Sequence, residues 1–315
     1  MAGHQLKYSQ AEGVFIVETF TEAVTWHFTV TNILAAGRSQ FQDYQIVDIP
    51  VFGKTLFLDY RIQSSLLDEY VYHEGMVQPA MVTHPQPQKV LVCGGGEGAT
   101  LWQALQHNTV IEAHMVDLDE ELIGFVKAQM PEWHKGAFED SRTRLVHQDA
   151  RKWVEDHKGY GYDVILSDLP GPVEGGPALF LYTKEYFKHV AAALSDDGIF
   201  VLQSGSVNES YPECFASIHQ TLDALPDEFK YVRGYWAGVT TFMTNWGFII
   251  ASKKHDPLAL SQQELAVRFN ARGVINRYAT PRFMGAMFTL PEHMLEAISS
   301  KGRILTDQDP FVWTA

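Results

Sequence analysis

Residues 88–100 read Gln-Lys-Val-Leu-Val-Cys-Gly-Gly-Gly-Glu-Gly-Ala-Thr, and this stretch decides the fold. Its apolar part, 90–93, predicts a short buried β-strand that ends in a glycine turn, and the segment from about residue 100 to 107 predicts a helix. Glycine accepts positive φ angles and lets the backbone approach a ligand, while the amino end of the next helix points at that ligand. The stretch therefore predicts a nucleotide-binding turn; the alternative is a glycine turn without a ligand.

A carboxylate follows the next predicted strand at a spacing typical of ribose recognition. The apolar run 113–116 ends in Asp117, about 20 residues beyond the glycines. The glycines do not follow the Gly-x-Gly-x-x-Gly pattern of dinucleotide sites, and Glu97 lies inside the turn. Because Glu97 would repel a pyrophosphate and attract a cation, the turn favours a positively charged nucleoside, such as S-adenosylmethionine or its decarboxylated form.

The composition is that of an acidic globular protein. The chain has 315 residues, 46% of them hydrophobic, which is enough for one large or two modest domains. A formal net charge of -14 argues against nucleic acid or an anionic membrane as a partner. Cys93 and Cys214 cannot form a disulfide framework or a cysteine zinc site. We see no membrane-spanning run and no secretory leader, so a soluble cytoplasmic protein is the expectation.

The N-terminal part predicts a small β domain. Short runs rich in β-branched and aromatic residues predict strands at 14–17, 44–49 and 54–58. A segment with apolar residues at helical spacing, 67–82, follows them. Residues 84–87, His-Pro-Gln-Pro, then interrupt the chain. We expect an N-terminal β domain at 1–82 and a second domain at 83–315.

From residue 89 to 253 predicted strands and helices alternate, which is typical of an α/β domain with a largely parallel sheet. The predicted strands are 90–93, 113–116, 144–147, 163–167, 198–203 and 246–251. The predicted helices are 120–129, 150–156, 184–195 and 208–224. Residues from 256 onward predict a helical tail interrupted by Pro281 and Pro291.

Two more polar segments follow predicted strands and should reach the same edge of the sheet as the glycine turn. Asp149 and Ala150 come after the third strand, where a carboxylate can accept a hydrogen bond from an adenine amino group. Asp149 is equally suited to cap the helix that begins at Ala150. Asp168 begins a loop dense in proline and glycine, 168–177, which predicts one wall of an active site.

Motifs along nearly the whole chain resemble the polyamine aminopropyltransferase family, the spermidine and thermospermine synthases. The resembling segments are 41–43, 52–54, 62–64, 68–74, 94–98, 117–119, 172–177, 181–183, 198–203 and 246–248. The run Pro-Val-Glu-Gly-Gly-Pro at 172–177 most resembles the thermospermine branch. The resemblance implies a small N-terminal β domain, a Rossmann-like S-adenosylmethionine-dependent transferase domain, and a homodimer or homotetramer.

The resemblance also implies a role for individual residues. It implies that the donor is contacted by the glycine turn, by residues at the strand ends and by two residues of the N-terminal part. These residues are Gln42, His73, Gly94, Gly95, Gly96, Glu97, Asp117, Leu118, Asp149, Ala150 and Asp168. It implies that Gln42, Tyr72, His73 and Glu97 surround the amine and sulfonium end of the donor. Tyr235 matches a tyrosine on the acceptor side, with Gly171, Trp236 and Phe242 beside it. For Tyr72 and Tyr235, simple packing is the alternative.

The sequence departs from the family at the acceptor side. The family loop reads Asp-x-x-Asp-Pro, and Gly171 stands where the second aspartate, taken as the general base, is expected. Two leucines, Leu66 and Leu67, replace a charged pair, and Thr244 stands where the thermospermine branch has an acid. Because a polycation needs carboxylates to replace its water, these changes predict an apolar, aromatic acceptor wall.

Three hypotheses follow. The favoured one is methyl transfer from S-adenosylmethionine to a small neutral or aromatic acceptor, with Tyr72, His73, Asp168 or Glu174 taking a proton. The alternative is aminopropyl transfer from decarboxylated S-adenosylmethionine to a polyamine, with Glu174 as a substitute base. The third is a catalytically dead binding subunit. The 13 histidines show no metal-ligand spacing, so we expect a metal-independent mechanism.

Overall fold

The computed structural model describes residues 13–21 and 24–313, and its N-terminal part consists of antiparallel strands. An antiparallel hairpin pairs β1 (Val14–Thr21) with β2 (Val24–Val30). An antiparallel sheet follows in the described chain, with β3 at Asn32–Arg38, β4 at Asp43–Ile49, β5 at Gly53–Leu58 and β6 at Arg61–Ser65. Residues 1–12 of the predicted N-terminal domain lie outside the described residues.

Alternating apolar side chains explain the strands that the sequence predicted here. Ile46, Leu56 and Phe57 are fully buried, and Phe57 meets Phe28 of β2 at a ring-centroid distance of 5.5 Å. Strands are present at all three predicted positions. β3 was missed because its sequence, Asn-Ile-Leu-Ala-Ala-Gly-Arg, contains residues of low β propensity, and most of its side chains are exposed.

The first helix, α1 (Glu69–Thr83), is buried on every side from His73 to its end and packs against the central sheet. The sequence predicted it at 67–82. Its last carbonyl groups accept hydrogen bonds from two arginines rather than from water. Arg268 donates to the carbonyls of residues 82 and 83 at 2.7 and 2.9 Å, and Arg272 donates to that of residue 81 at 2.5 Å. α1 is therefore a fixed support for the polar residues of its first turns.

The central sheet has seven strands in the described chain. They are β7 (Lys89–Gly94), β8 (Glu112–Asp117), β9 (Thr143–His147), β10 (Tyr162–Asp168), β11 (Leu194–Ser206), β12 (Tyr231–Val239) and β13 (Thr244–Ser252). The order is β12-β13-β11-β10-β7-β8-β9. The strands from β11 to β9 are parallel, as predicted, while β13 pairs antiparallel with both β11 and β12.

The sequence did not predict β12, which reads Tyr-Val-Arg-Gly-Tyr-Trp-Ala-Gly-Val. Its Gly234 lowers the β propensity of the segment, and packing explains why a glycine is needed there. A Cβ atom at Gly234 would lie 2.6 Å from the ring of Phe215, and one at Gly247 of β13 would lie 2.6 Å from the same ring. The two glycines therefore make room for one phenylalanine of a covering helix.

Helices cover the sheet. They are α2 (Ala99–Leu105), α3 (Glu120–Gln129), α4 (Pro131–His134), α5 (Ala150–Asp156), α6 (Lys184–Ala193), α7 (Glu213–Asp223), α8 (Gln262–Arg272), α9 (Met284–Met287) and α10 (Glu292–Lys301). α3 and α5 match their predicted bounds, and the helical tail is confirmed. None of the helices in the described residues is both long and apolar enough to cross a bilayer. The architecture confirms the predicted Rossmann-like α/β class; the division after residue 82 stays a prediction.

The strand order reverses beside β7, because the chain continues to β8 on one side and returns as β10 on the other. In open α/β sheets, ligands bind at the carboxyl ends of the strands at such a switch point. Gly94, Asp117 and Asp168 end β7, β8 and β10, so the fold brings them to one edge.

Candidate active site

A cavity of about 550 Å³ opens at this edge, between the N-terminal strands and the central sheet. It is lined by the glycine turn, by aromatic rings and by acidic side chains. The lining carboxylates are Glu18, Asp59, Glu97, Asp117, Asp119, Asp149, Asp168 and Glu174. Among the described residues, Arg61 is the cation that lines it.

The glycine turn has the conformation that the sequence predicted. Gly94, Gly95 and Gly98 have φ angles of 76°, 72° and 75°, which side chains rarely allow. The Gly95 amide donates to the main-chain carbonyl of Asp168 at 2.8 Å, and a Cβ at Gly94 would lie 2.3 Å from that oxygen. The turn therefore touches the neighbouring strand end directly, leaving its other side open to the cavity.

The predicted ribose ligand, Asp117, is fixed by a residue that the sequence did not single out. Asp117 accepts a hydrogen bond from the amide of Asp119 at 2.9 Å. One carboxylate oxygen of Asp119 accepts from Ser39 at 2.6 Å and from Gln42 at 2.9 Å. Burial raises the pKa of Asp117 to about 6, and the charges of Asp119 and Glu97 act in the same direction.

Asp168 is held through both of its carboxylate oxygens. The Tyr72 hydroxyl donates to Oδ1 at 2.7 Å, and the Thr100 hydroxyl donates to Oδ2 at 2.5 Å. Burial raises the pKa of Asp168, as does the charge of Glu97, while His73 and these two hydroxyl groups oppose the shift. Burial and the Asp168 charge also hold the pKa of Tyr72 well above its usual range, so Tyr72 is a hydrogen-bond donor at neutral pH.

His73 lies behind Glu97 and is fully buried. Its Nδ1 is 2.7 Å from the carbonyl oxygen of Glu69, and its Nε2 is 3.5 Å from Glu97 Oε1. Burial disfavours the protonated ring, but the carboxylates of Glu69 and Glu97 outweigh it and raise the pKa of His73 to about 10. The two carboxylates therefore favour the protonated ring beside Glu97. The proton-accepting role that the sequence analysis offered His73 stays a prediction.

The structure confirms that Asp149 caps a helix, while its contact to an adenine stays a prediction. Its carboxylate accepts from the amide of Lys152 at 2.8 Å, which caps α5. Asp149 and Ala150 also line the cavity, as does Leu118 beside the ribose carboxylate. The structure thus brings the predicted donor residues to one cavity, with His73 immediately behind its wall.

Some of the predicted acceptor residues line the cavity, and others lie outside it. Gly171 and Phe242 line the cavity, and so does Glu174, which is exposed and makes no hydrogen bond or ion pair within the described chain. Tyr235 is fully buried outside the cavity, where it stacks on Phe248 with ring centroids 5.4 Å apart. Trp236 also lies outside it and donates to the carbonyl of residue 289 at 3.1 Å.

Phe242 and Trp246 of the expected aromatic acceptor wall do line the cavity, but carboxylates that the sequence analysis did not expect line it as well. Glu18 of β1 and Asp59 of the β5–β6 turn bring carboxylates to the cavity from the N-terminal strands. Glu18 is 9% exposed, and its Oε2 accepts from the amide of Ile62 at 3.0 Å. Burial raises the pKa of Glu18, while the hydrogen bond from the Ile62 amide and the charge of Arg61 act to lower it. Sequence reasoning missed both acids because each lies far along the chain from the glycine turn.

A second polar group lies away from the cavity, toward the amino ends of the strands. His84 Nε2 lies 3.4 Å from Asp197 and 3.8 Å from Asp163. The amide of Gln86 donates to His84 Nδ1 at 3.3 Å, so the ring proton of the neutral form sits on Nε2. Nε2 faces the two carboxylates but has no hydrogen-bond partner within the described residues.

Two parts of the chain match known protein domains. Residues 69–262 match the spermine/spermidine synthase domain, and residues 14–65 match the spermidine synthase tetramerisation domain. Together the two matches span the N-terminal strands and nearly all of the central sheet.

Curated relatives match over most of their length. Polyamine aminopropyltransferase 1 of Hyperthermus butylicus is 42% identical, covering 80% of this chain and 85% of its own. Polyamine aminopropyltransferase of Aeropyrum pernix is 38% identical over 88% of each chain. Thermospermine synthase ACAULIS5 of Arabidopsis thaliana is 32% identical over 93% of this chain and 85% of its own.

The fold is also that of a solved enzyme. The crystal structure of spermidine synthase from Thermotoga maritima superposes with a TM-score of 0.82 at 24% sequence identity. It covers 94% of this chain and 98% of its own. The match extends over both the N-terminal strands and the α/β part.

Proposed function

The chain belongs to the spermine/spermidine synthase family, and from this we propose that it is an aminopropyltransferase that moves the aminopropyl group of decarboxylated S-adenosylmethionine to a polyamine. Its relatives from Hyperthermus butylicus and Aeropyrum pernix carry that activity in their names. The chain is a transferase with a donor derived from S-adenosylmethionine.

The charge of the cavity carries the proposal. Eight carboxylates and one guanidinium line it within the described chain. Such a lining suits a donor with a sulfonium and an ammonium group, together with an acceptor that carries several ammonium groups. A small neutral or aromatic acceptor would bring no positive charge to balance the carboxylates of Glu18 and Asp59.

The favoured expectation from the sequence, methyl transfer from S-adenosylmethionine, was therefore wrong. The relatives at 38–42% identity are polyamine aminopropyltransferases, which supports the alternative. There is also a physical reason. Intact S-adenosylmethionine brings a carboxylate of its own, which the acidic lining repels, whereas the decarboxylated donor lacks that group.

Residues of this chain have defined tasks in such a transfer. Asp117 accepts hydrogen bonds from the ribose hydroxyls, Asp149 accepts from the adenine amino group, and the glycine turn packs against the nucleoside. Glu97, supported by the protonated His73, faces the positive end of the donor. These contacts orient the donor so that the acceptor amine can attack in line with the bond that breaks.

The chemical step needs one proton acceptor. The acceptor nitrogen forms a bond to the methylene carbon beside the sulfonium, and the carbon–sulfur bond breaks with its electron pair going to sulfur. Methylthioadenosine leaves as a neutral molecule, and the nitrogen loses a proton. Asp168 is the group that we assign to receive it, because its carboxylate lines the cavity and Tyr72 and Thr100 orient it.

The N-terminal match also bears on assembly. A tetramerisation domain at residues 14–65 indicates a homo-oligomer, and we propose a homotetramer. The β-rich N-terminal part carries Glu18, so assembly and the acceptor side of the cavity depend on the same strands.

A direct assay tests the function. Purified protein is incubated with decarboxylated S-adenosylmethionine and putrescine or spermidine, and methylthioadenosine and the new polyamine are measured by mass spectrometry. We expect both products in equal amounts, and neither when intact S-adenosylmethionine replaces the donor. Tight donor binding without turnover of either polyamine would contradict the proposal.

Donor affinity is expected to fall as the pH drops below about 6. The folded-state pKa of Asp117 is raised to about 6 by burial, so Asp117 begins to take up a proton there. Ribose hydroxyl donors and the positive donor charge favour its ionised form, so binding releases protons. Calorimetry from pH 5 to 8 should show Kd rising by up to about tenfold for each pH unit below 6. Methylthioadenosine, which lacks the positive charge, should show a weaker dependence. A constant Kd would contradict this assignment.

Glu18→Gln is expected to raise the KM for spermidine about tenfold while kcat and donor affinity change little. The amide keeps an oxygen for the Ile62 hydrogen bond but removes the charge that faces a polycation. Steady-state kinetics with each substrate varied in turn measure the effect. Glu209→Gln, an exposed position outside the cavity, is the matched control. An unchanged KM for spermidine would exclude Glu18 from acceptor binding.

A further inference from the structure

Thr100 follows the glycine turn, and neither the sequence pattern nor the family motifs gave it a role. It lies in the first turn of α2 and is fully buried. Its hydroxyl donates to Asp168 Oδ2 at 2.5 Å. The contact therefore links the helix that follows the glycine turn to the carboxylate that we assign as proton acceptor.

The surroundings of Asp168 leave its carboxylate little freedom. Tyr72, on α1, takes the other carboxylate oxygen at 2.7 Å, so two helices hold one side chain. The main-chain carbonyl of Asp168 is fixed by the amide of Gly95 at 2.8 Å. A Cβ at Gly95 would lie 3.2 Å from Oδ2, so the glycine turn closes the remaining side.

We propose that Thr100 is a positioning residue for the aminopropyl transfer, and that its hydroxyl holds the Asp168 carboxylate in the orientation in which it accepts the proton of the attacking amine. This inference rests on the proposed function. Thr100 itself touches neither substrate. It acts through Asp168, by donating to one oxygen and leaving the carboxylate oriented for proton transfer.

The same hydrogen bond affects the proton affinity of Asp168. Burial and the charge of Glu97 favour the protonated acid, whereas the charge of His73 and the hydroxyls of Thr100 and Tyr72 favour the carboxylate. An acceptor of the amine proton has to be ionised before the reaction. Loss of the Thr100 hydroxyl therefore raises the pKa of Asp168 and removes active enzyme at the acid side of the pH profile.

A purely structural role makes a different prediction. Removing a fully buried hydroxyl leaves its partner without a hydrogen bond, and this destabilises the fold whether or not the partner is catalytic. In that case the folded fraction of a variant keeps its kcat and its pH profile. The two roles are therefore separated by kinetics and not by stability.

The test compares Thr100→Val with Thr100→Ser. We expect Thr100→Val to lower kcat about tenfold, to leave the KM for spermidine within twofold, and to move the acid limb of the kcat–pH profile upward by about one pH unit. Thr100→Ser retains the hydroxyl and should restore both kcat and the profile. Thr221→Val is the control: Thr221 is also fully buried, but its hydroxyl donates to the carbonyl of Ser217 at 2.6 Å in α7.

Unchanged kcat and pH profile in folded Thr100→Val would overturn the inference while leaving the aminopropyl transfer intact. If the unaltered protein binds decarboxylated S-adenosylmethionine without turnover, the proposed function fails separately. The pH dependence of donor binding then shows whether Thr100 acts on Asp168, because Asp168 lines the cavity. Thr100→Val should shift that dependence upward and Thr100→Ser should not; identical curves, or no binding by the unaltered protein, would reject the inference.

Discussion

Asp168→Asn is expected to lower kcat for aminopropyl transfer about a thousandfold, within the range found for loss of a general base. Asparagine has nearly the same shape; its one oxygen can accept from either Tyr72 or Thr100, and its NH2 group can donate to the oxygen of the other hydroxyl. It cannot take a proton from the amine. Release of methylthioadenosine at saturating donor and spermidine measures the loss directly.

Asp149→Asn is the informative contrast, because Asp149 lines the nucleoside side of the cavity and caps α5. It should raise the KM for the donor and leave kcat within a few fold. A loss of less than tenfold in kcat for Asp168→Asn would contradict its assignment. Glu174→Gln would then show whether the exposed carboxylate of the neighbouring loop takes the proton instead.

Gly171→Asp is expected to raise kcat/KM for spermidine about tenfold or more. Gly171 lines the cavity, and a Cβ built there meets no atom within 4 Å, so the new side chain fits without displacing a neighbour. A carboxylate about 4 Å from an ammonium group in a partly screened site attracts it by several kcal/mol before desolvation is subtracted. Competition assays with putrescine and spermidine measure the gain and its selectivity.

Gly171→Asn separates charge from size at the same position. If Asn improves the reaction as much as Asp, the added bulk and not the charge is responsible. A fall in kcat/KM for Gly171→Asp would mean that the open space at residue 171 is itself part of the acceptor site.

Local sequence signals were sufficient for most of the α/β fold. β7, β8 and β10 are short apolar runs buried on both faces, and the glycine turn after β7 has the positive φ angles that its residues suggested. β12 was missed because the reason for its Gly234 is a phenylalanine on another element. A pattern within one strand cannot report a steric demand made by a distant residue.

The donor side of the cavity was predictable for the same reason. Asp117 and Asp168 end their strands and Asp149 comes two positions after β9, so strand order alone brings them together. The contribution of Glu18 was not predictable, because it depends on how β1 folds over the cavity. That omission made the acceptor side look apolar and led to the incorrect hypothesis of methyl transfer.

His73 shows a second limit. A histidine beside an active site is an ordinary candidate for a base, because its pKa in water is close to 7. The structure places it between Glu69 and Glu97, and these two carboxylates raise its pKa and favour the protonated ring. The sequence contains both acids but does not show that they flank one ring.

The hydrogen bonds to Asp119 couple the stability of the N-terminal strands to that of the α/β part. Ser39 and Gln42, just before β4, hold the same carboxylate oxygen, and the amide of Asp119 in turn fixes Asp117. Fraying of the segment at residues 39–42 therefore loosens Asp119, although Ser39 lies 80 positions away from it along the chain, and with Asp119 it loosens Asp117. If the donor binds Asp117 as we propose, its nucleoside would strengthen the contact between the two parts, so that they open together.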